Sequence, residues 1–346
     1  MLHQPKIVLH DHLDGGVRSA TIIELATAAG VPLPANDPDE LGKWLTITPG
    51  MELARAWKRF ELVIASLQTA AGLRRVAREA VEDLAAEGVI YAELRFAPLN
   101  HLAGGLNPDE VMAAVTAGLA AGEQATSCIA RTIVCGIREN SPAESVAAAH
   151  LAVSWKDRGV VGFDLAGNEF DFGAELHRDA FEVANRGGLG ITVHAGEMAG
   201  PESIANALEA AHPDRIGHGM HLIDDCLVEE GRIVGMGPVA GMVRDSGIVL
   251  EVCVTSNSCL GTPVPGHPVR MFYEAGFPVT VNPDDRAITT TTVEGEYQLW
   301  RSVHGFSDDD FRVVNLAAAR AAFCDPPTRR RLEAAVTAGW ATPWVS

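Results

Sequence analysis

Eight short runs of β-branched and other apolar residues recur along the chain, each closed by turn-forming residues. They cover residues 7–10, 89–96, 130–135, 160–165, 190–194, 215–218, 248–253 and 278–282. Such runs read as strands buried on both faces. Helical patterns separate them. Residues 19–29 carry apolar side chains at helical spacing and stop at Gly30. Asn107-Pro108-Asp109-Glu110 reads as a helix start: a capping Asn, Pro at the first position, then acids that suit the helix dipole. Further helices are expected over 143–155, 174–184, 202–211, 269–275, 294–304, 308–323 and 327–338. Eight strands alternating with helices predict one domain over 1–346, an α/β fold of the (β/α)8 TIM barrel type.

About 250 residues suffice for that fold, and this chain has 346. The excess sits between the first two strands. It contains Pro32, Pro34, Pro38 and Pro49, then a helical stretch over 52–86. This segment, at about 15–88, is expected to be a helical, lid-like insertion near the barrel mouth.

In a barrel of this kind, chemistry gathers at the C-terminal ends of the strands. The first strand ends in His10-Asp11-His12-Leu13-Asp14. His10 and His12 are two apart, so both imidazoles face one way, and Asp14 keeps their parity. The fifth strand ends in His194-Ala-Gly-Glu197, the sixth in Gly217-His218-Gly219, and the eighth in Asn282-Pro283-Asp284-Asp285. Adjacent aspartates repel unless a cation or hydrogen bonds compensate. Four strand ends thus deliver four imidazoles and three carboxylates to one rim, which predicts a metal site. Imidazoles with a carboxylate suit Zn2+ better than Mg2+ or Ca2+. The four lysines are Lys6, Lys43, Lys58 and Lys156; none falls at a strand's C-terminal end, so none can be carboxylated to bridge two ions. One Zn2+ is expected.

Composition removes several alternatives. Lys and Arg total 27 against 45 Asp and Glu, a formal charge of −18. That balance excludes nucleic acid and anionic membrane surfaces as partners. No apolar run approaches the roughly 18 residues of a membrane helix, and the first residues lack a signal-peptide core. A cytoplasmic protein is expected. Cys128, Cys135, Cys226, Cys253, Cys259 and Cys324 form no C-x2-C pair and read as small buried hydrophobes.

With these residues in hand, the sequence resembles the adenosine deaminase family, the mononuclear-zinc branch of the amidohydrolase barrels. The matching pieces begin with Leu9-His-Asp-His-Leu-Asp-Gly15, Tyr91-Ala-Glu-Leu-Arg-Phe-Ala-Pro98 and Gly162-Phe-Asp-Leu-Ala-Gly-Asn-Glu169. They continue through His194-Ala-Gly-Glu197, Arg215-Ile-Gly-His-Gly219, Ser256-Asn257 and Asp284-Asp285. The resemblance implies that His10, His12, His194 and Asp284 bind zinc, with water completing the shell. It implies that Glu197 gives a proton to purine N1 and that His218 orients the metal-bound hydroxide and helps deprotonate it. It further implies that Asp285 bonds purine N7, that the Gly167 amide meets N3, and that Asp14 binds the ribose 5′-hydroxyl. The implied substrate is a small purine nucleoside, adenosine or 2′-deoxyadenosine, deaminated to inosine or 2′-deoxyinosine with release of ammonia.

Elementary chemistry fits these roles. Zinc brings the pKa of water from 15.7 to about 7. Attack at the aromatic C6 needs a proton at N1 to receive the displaced charge, and a positioned acid contributes about 10²–10⁴-fold. Some residues depart from the family's pattern: Asp11 between the histidines, Val254-Thr255 after Cys253, and Pro283 and Arg286 around the aspartates. Asp11 is expected to turn from the metal toward a basic partner. Arg286 is read either as an ion pair with Asp285 or another acid, or as a contact to a substrate substituent. Trp57 and Phe60 are expected to pack in the core rather than line the pocket. The rival substrates are adenine, a modified 6-aminopurine nucleoside and aminodeoxyfutalosine. A non-catalytic purine nucleoside binder is the rival class.

Overall fold

A computed structural model describes residues 4–341. Eight parallel strands form one sheet: β1 (Lys6–His12), β2 (Val89–Phe96), β3 (Ile129–Ile137), β4 (Val160–Ala166), β5 (Gly190–Ala195), β6 (Arg215–His218), β7 (Val249–Val252) and β8 (Val279–Val281). Their spatial order is their chain order. The ring closes where Asp11 bridges Asp284: the His12 amide donates to the Asp284 carbonyl at 2.9 Å, and the Asp284 amide to the His10 carbonyl at 3.2 Å. This is the expected (β/α)8 barrel, with all eight strands where the sequence placed them.

Helix starts follow their local chemistry. Capping boxes pair Asn107 with Glu110, Ser141 with Glu144, and Ser307 with Asp310. Each satisfies amide donors that a helix N-terminus leaves open. Proline stands in the first turn after Asn107, Ser141 and Asp325, where its missing N–H costs nothing.

Four helices occupy the first insertion: α1 (Ser19–Ala29), α2 (Pro38–Leu45), α3 (Leu53–Ser66) and α4 (Ala70–Ala86). The stretch expected as continuous over 52–86 breaks at residues 67–69. Thr69 turns to the extended region and its hydroxyl accepts the Gly72 amide at 3.1 Å, starting α4 afresh. The proline-bearing stretch also yields a helix, because the Asp37 carboxylate caps it and Pro38 fits its first turn. In α4, Leu73, Val76, Ala77, Ala80, Val81 and Leu84 are buried, a stripe at helical spacing.

The helices Pro238–Asp245 and Val254–Cys259 and one hairpin were not expected. Cys226–Glu229 and Arg232–Met236 pair as an antiparallel hairpin outside the barrel. Its turn residues, Glu230 and Gly231, have φ of 50° and 74°.

Candidate metal centre and cavity

The C-terminal rim brings the four imidazoles together. Ring centroids of His10 and His194 lie 4.6 Å apart, those of His10 and His218 4.8 Å, and those of His12 and His194 5.2 Å. One donor atom each from His10, His194, His218 and Asp284 falls within 4.8 Å of the others. His12 Nε2 adjoins this group, 3.1 Å from His194 Nε2 and 3.5 Å from Asp284 Oδ1. The sequence-derived ligands therefore assemble, and His218 stands among them.

Below the rim, carboxylates fix the rings. His10 Nδ1 lies 2.8 Å from Glu251 Oε2, and His194 Nδ1 lies 3.0 Å from Asp164 Oδ2. An imidazole whose Nδ1–H bonds a carboxylate turns its Nε2 lone pair outward, as metal-binding histidines do. Arg95 grips both acids, with NH1 2.7 Å from Asp164 Oδ2 and NH2 2.7 Å from Glu251 Oε2. Sequence reasoning assigned no role to Asp164, Glu251 or Arg95. Their signal was a charged residue inside an otherwise apolar strand.

Three of the donors facing the rim have no hydrogen-bond partner. His10 Nε2, His218 Nε2 and Asp284 Oδ1 are buried and unpaired; the first and third approach to 3.0 Å without hydrogen-bond alignment. Burying unpaired polar atoms is costly, so a convergent set of them fits a bound cation. Burial holds His12, His194 and His218 below the ordinary imidazole range, so they are neutral, the form that ligates. Burial works against the Asp284 carboxylate, yet the imidazoles outweigh it and hold its pKa well below the usual range. His218 and Asp284 share a φ of +63°. Such backbone strain costs about 1–3 kcal/mol per residue and collects at functional sites.

Glu197 follows β5, with Oε1 3.5 Å from His218 Nε2. Burial, then the nearby Asp284 and Glu169 charges, pushes its carboxyl well above the usual range. Glu169 holds the loop that carries it, accepting from the amides of Gly196 at 2.9 Å, Met198 and Ala199 at 2.6 Å, and from Ser203 Oγ at 2.7 Å. Asp285 is also raised well above the usual range, by burial and then by Asp284, Asp14 and Glu197. Its carboxyl rests on Gly15, where a Cβ would lie 1.7 Å from Oδ1. Gly167 has a φ of +110°, and a Cβ there would meet Glu139 Oε2 at 2.2 Å. Burial raises Asp14 to about 6.

A cavity of about 1030 Å³ opens above the centre. Asp14, Gly167, Glu197, His218, Asp284 and Asp285 all line it. So do Trp57 and Phe60 of α3; Phe60 also packs against the core as expected, while Trp57 corrects that expectation. Arg286 does not line it. Its Nε pairs with Asp11 Oδ2 at 3.0 Å, and NH1 lies 3.9 Å from Asp83 of α4. The reading of Arg286 as a substrate contact gives way to the ion pair, and Asp11 is the acid concerned. All six cysteines are free; Cys226 and Cys324 are only partly buried.

A parallel eight-stranded barrel with imidazoles and carboxylates converging on its C-terminal rim defines a metal-dependent hydrolase of the amidohydrolase type. The adenosine deaminase family profile matches residues 5–338. An adenosine deaminase of Mycobacterium leprae is 39% identical over 328 residues, 92% of this chain and 90% of that one. A zinc-bound amidohydrolase from Burkholderia ambifaria superposes with a TM-score of 0.86 at 25% identity, covering 98% of this chain and 91% of its own. An N6-mAMP deaminase from Arabidopsis gives 0.84 at 27% identity, covering 97% and 98%. This chain belongs to the adenosine deaminase family.

Proposed function

We propose that the protein hydrolyses adenosine and 2′-deoxyadenosine to inosine and 2′-deoxyinosine, releasing ammonia. The observation that carries this reading is the pairing, in one cavity, of a buried His and Asp centre with Glu197, whose carboxyl burial pushes well above the usual range. His10, His12, His194 and Asp284 would hold one Zn2+, which supplies hydroxide near neutral pH by bringing water to a pKa of about 7.

The chain's own groups then divide the work. His218 donates a hydrogen bond to the attacking oxygen. As the C6–O bond forms, the displaced electron pair moves to N1, which takes the proton held on Glu197. Purine N7 can only accept a hydrogen bond, so Asp285 must be protonated to meet it, and its raised pKa supports that state. The Gly167 amide approaches N3, and Asp14 binds the 5′-hydroxyl. The proton of the new C6 hydroxyl passes to the amino nitrogen by way of the Glu197 carboxylate, the C6–N bond breaks as C6=O forms, and ammonia leaves a 6-oxopurine.

The cavity wall favours a nucleoside over a nucleotide. Asp14, Glu61, Glu139 and Asp284 line it as carboxylates, and none of the described lining residues is Lys or Arg. A phosphate would enter negative potential with no cation to bind it. The test is ammonia release from adenosine, 2′-deoxyadenosine, adenine, AMP and aminodeoxyfutalosine, using metal-quantified protein. Adenosine and 2′-deoxyadenosine are expected to lead. Efficient turnover of adenine or AMP with adenosine inert overturns the assignment.

A further inference from the structure

Asn257 lies in α5 (Val254–Cys259), the helix that directly follows β7, and is fully buried between two imidazoles. On one side is His267, itself buried. The Val269 amide donates to His267 Nδ1 at 3.2 Å. A backbone amide only donates, so Nδ1 holds the lone pair. Burial lowers His267 to about 3, so the ring is neutral and its proton sits on Nε2. That Nε2 lies 3.1 Å from Asn257 Oδ1, an atom that only accepts.

The orientation of the amide is thereby fixed from outside the site. Asn257 must turn Nδ2 the other way, where it lies 3.1 Å from His218 Nδ1. An amide NH2 only donates, so Nδ1 of His218 holds a lone pair and its ring proton sits on Nε2, facing Glu197 and Asp284. His10 and His194 are held the opposite way, each with Nδ1 on a carboxylate. Of the imidazoles at the rim, these three are sorted by their supports into two kinds.

We propose that His267 and Asn257 form a positioning pair that locks His218 with its proton on Nε2, making it a hydrogen-bond donor beside the metal centre instead of a ligand. The pair acts through His218 and touches no substrate. It separates His218 from His10 and His194: their supports leave Nε2 bare, while that of His218 denies it a free Nε2 lone pair, so it donates to the attacking oxygen and takes no proton from it. This inference rests on the proposed function only for what the donated bond does; the proton's position is independent of it.

The test is long-range 1H–15N NMR on metal-free, histidine-15N-labelled protein, with His218 assigned by its loss in His218→Asn. The wild type is expected to show Nδ1 bare and Nε2 protonated. Asn257→Asp offers an acceptor to Nδ1 and is expected to swap the pattern. With zinc restored, its kcat should fall by about 10²-fold while KM stays nearly constant. His267→Gln keeps a donor toward Asn257 and should keep the wild-type pattern; His267→Leu should lose it. Wild-type His218 protonated on Nδ1 overturns the proposal whatever the variants do. So does a folded Asn257→Asp protein, by its melting curve, that keeps the wild-type pattern. Because these spectra need neither metal nor substrate, a failed substrate panel would leave the proposal standing.

Discussion

Two clusters of charge are buried in the same barrel, one beneath the other, and they are built on opposite terms. In the lower one, Arg215 spends its donors on Glu251, Glu93 and the Ala321 carbonyl. Tyr91 Oη and the Phe323 amide close the other oxygen of Glu93. Arg95 joins Asp164, Glu251 and the Leu9 carbonyl, leaving only its Nε unpaired. In the upper one, His10 Nε2, His218 Nε2, Asp284 Oδ1 and Asp285 Oδ1 are all unpaired. Burial is similar in both; saturation is not. The lower cluster spends its polarity internally and fixes positions. The upper one leaves polarity directed at a cavity, where a guest must complete it.

The sharpest way to break this contrast is in the upper cluster. Glu197→Gln keeps the shape and removes the acid. Turnover of adenosine should fall by about 10²–10⁴-fold, while metal content and the melting temperature hold. Unchanged turnover would remove Glu197 from its role. In the lower cluster the loss should appear as stability. Arg95→Met strands Asp164 as a buried charge without a guanidinium partner and leaves Glu251 to Arg215 alone, and should cost about 3–5 kcal/mol in denaturant unfolding. A loss below about 1 kcal/mol would show that the cluster holds together without it.

Glu296 sharpens the comparison, being half saturated. Its Oε1 accepts from the Thr255 amide and from Thr291 Oγ1, while Oε2 is unpaired. Burial raises its pKa from 4.5 to about 7. The folded state therefore binds this proton more tightly than the unfolded one. Its contribution is full below about pH 4.5 and is lost as pH rises through about 7. Glu296→Gln should match wild type near pH 4.5 and exceed it by up to roughly 3 kcal/mol near pH 8. Parallel pH profiles would refute the shift. The smallest effect belongs to Asp285→Asn. An amide donates to N7 as a protonated carboxyl does, so kcat/KM should stay within about tenfold of wild type, against a larger loss for Asp285→Ala.

Much of this was legible in the sequence. Strand runs end at turn residues, and alternation puts His10 and His12 on one face, so the rim could be listed before any coordinates. The supports under the rim were harder. His10 and Glu251 are 241 residues apart, and no local pattern says which acid meets which ring. The apolar spacing of α3 marks a covered face but cannot say whether core or cavity covers it, which is why Trp57 was misplaced and the cavity side of Phe60 was missed. The outer hairpin was missed for another reason. Two successive residues at positive φ suit a tight antiparallel turn, a signal overlooked when every strand is expected to lead into a helix.

The barrel closes between its first strand and its last, and the candidate ligands straddle that closure. His10 and His12 are synthesised well before Asp284, the Asp11–Asp284 bridge being the seam. An ion gripped by both sides would act as a clasp across the two ends of the fold. The nascent chain cannot fasten it until the eighth strand has left the ribosome, and the loaded protein gains resistance to unfolding in proportion to how tightly the clasp holds.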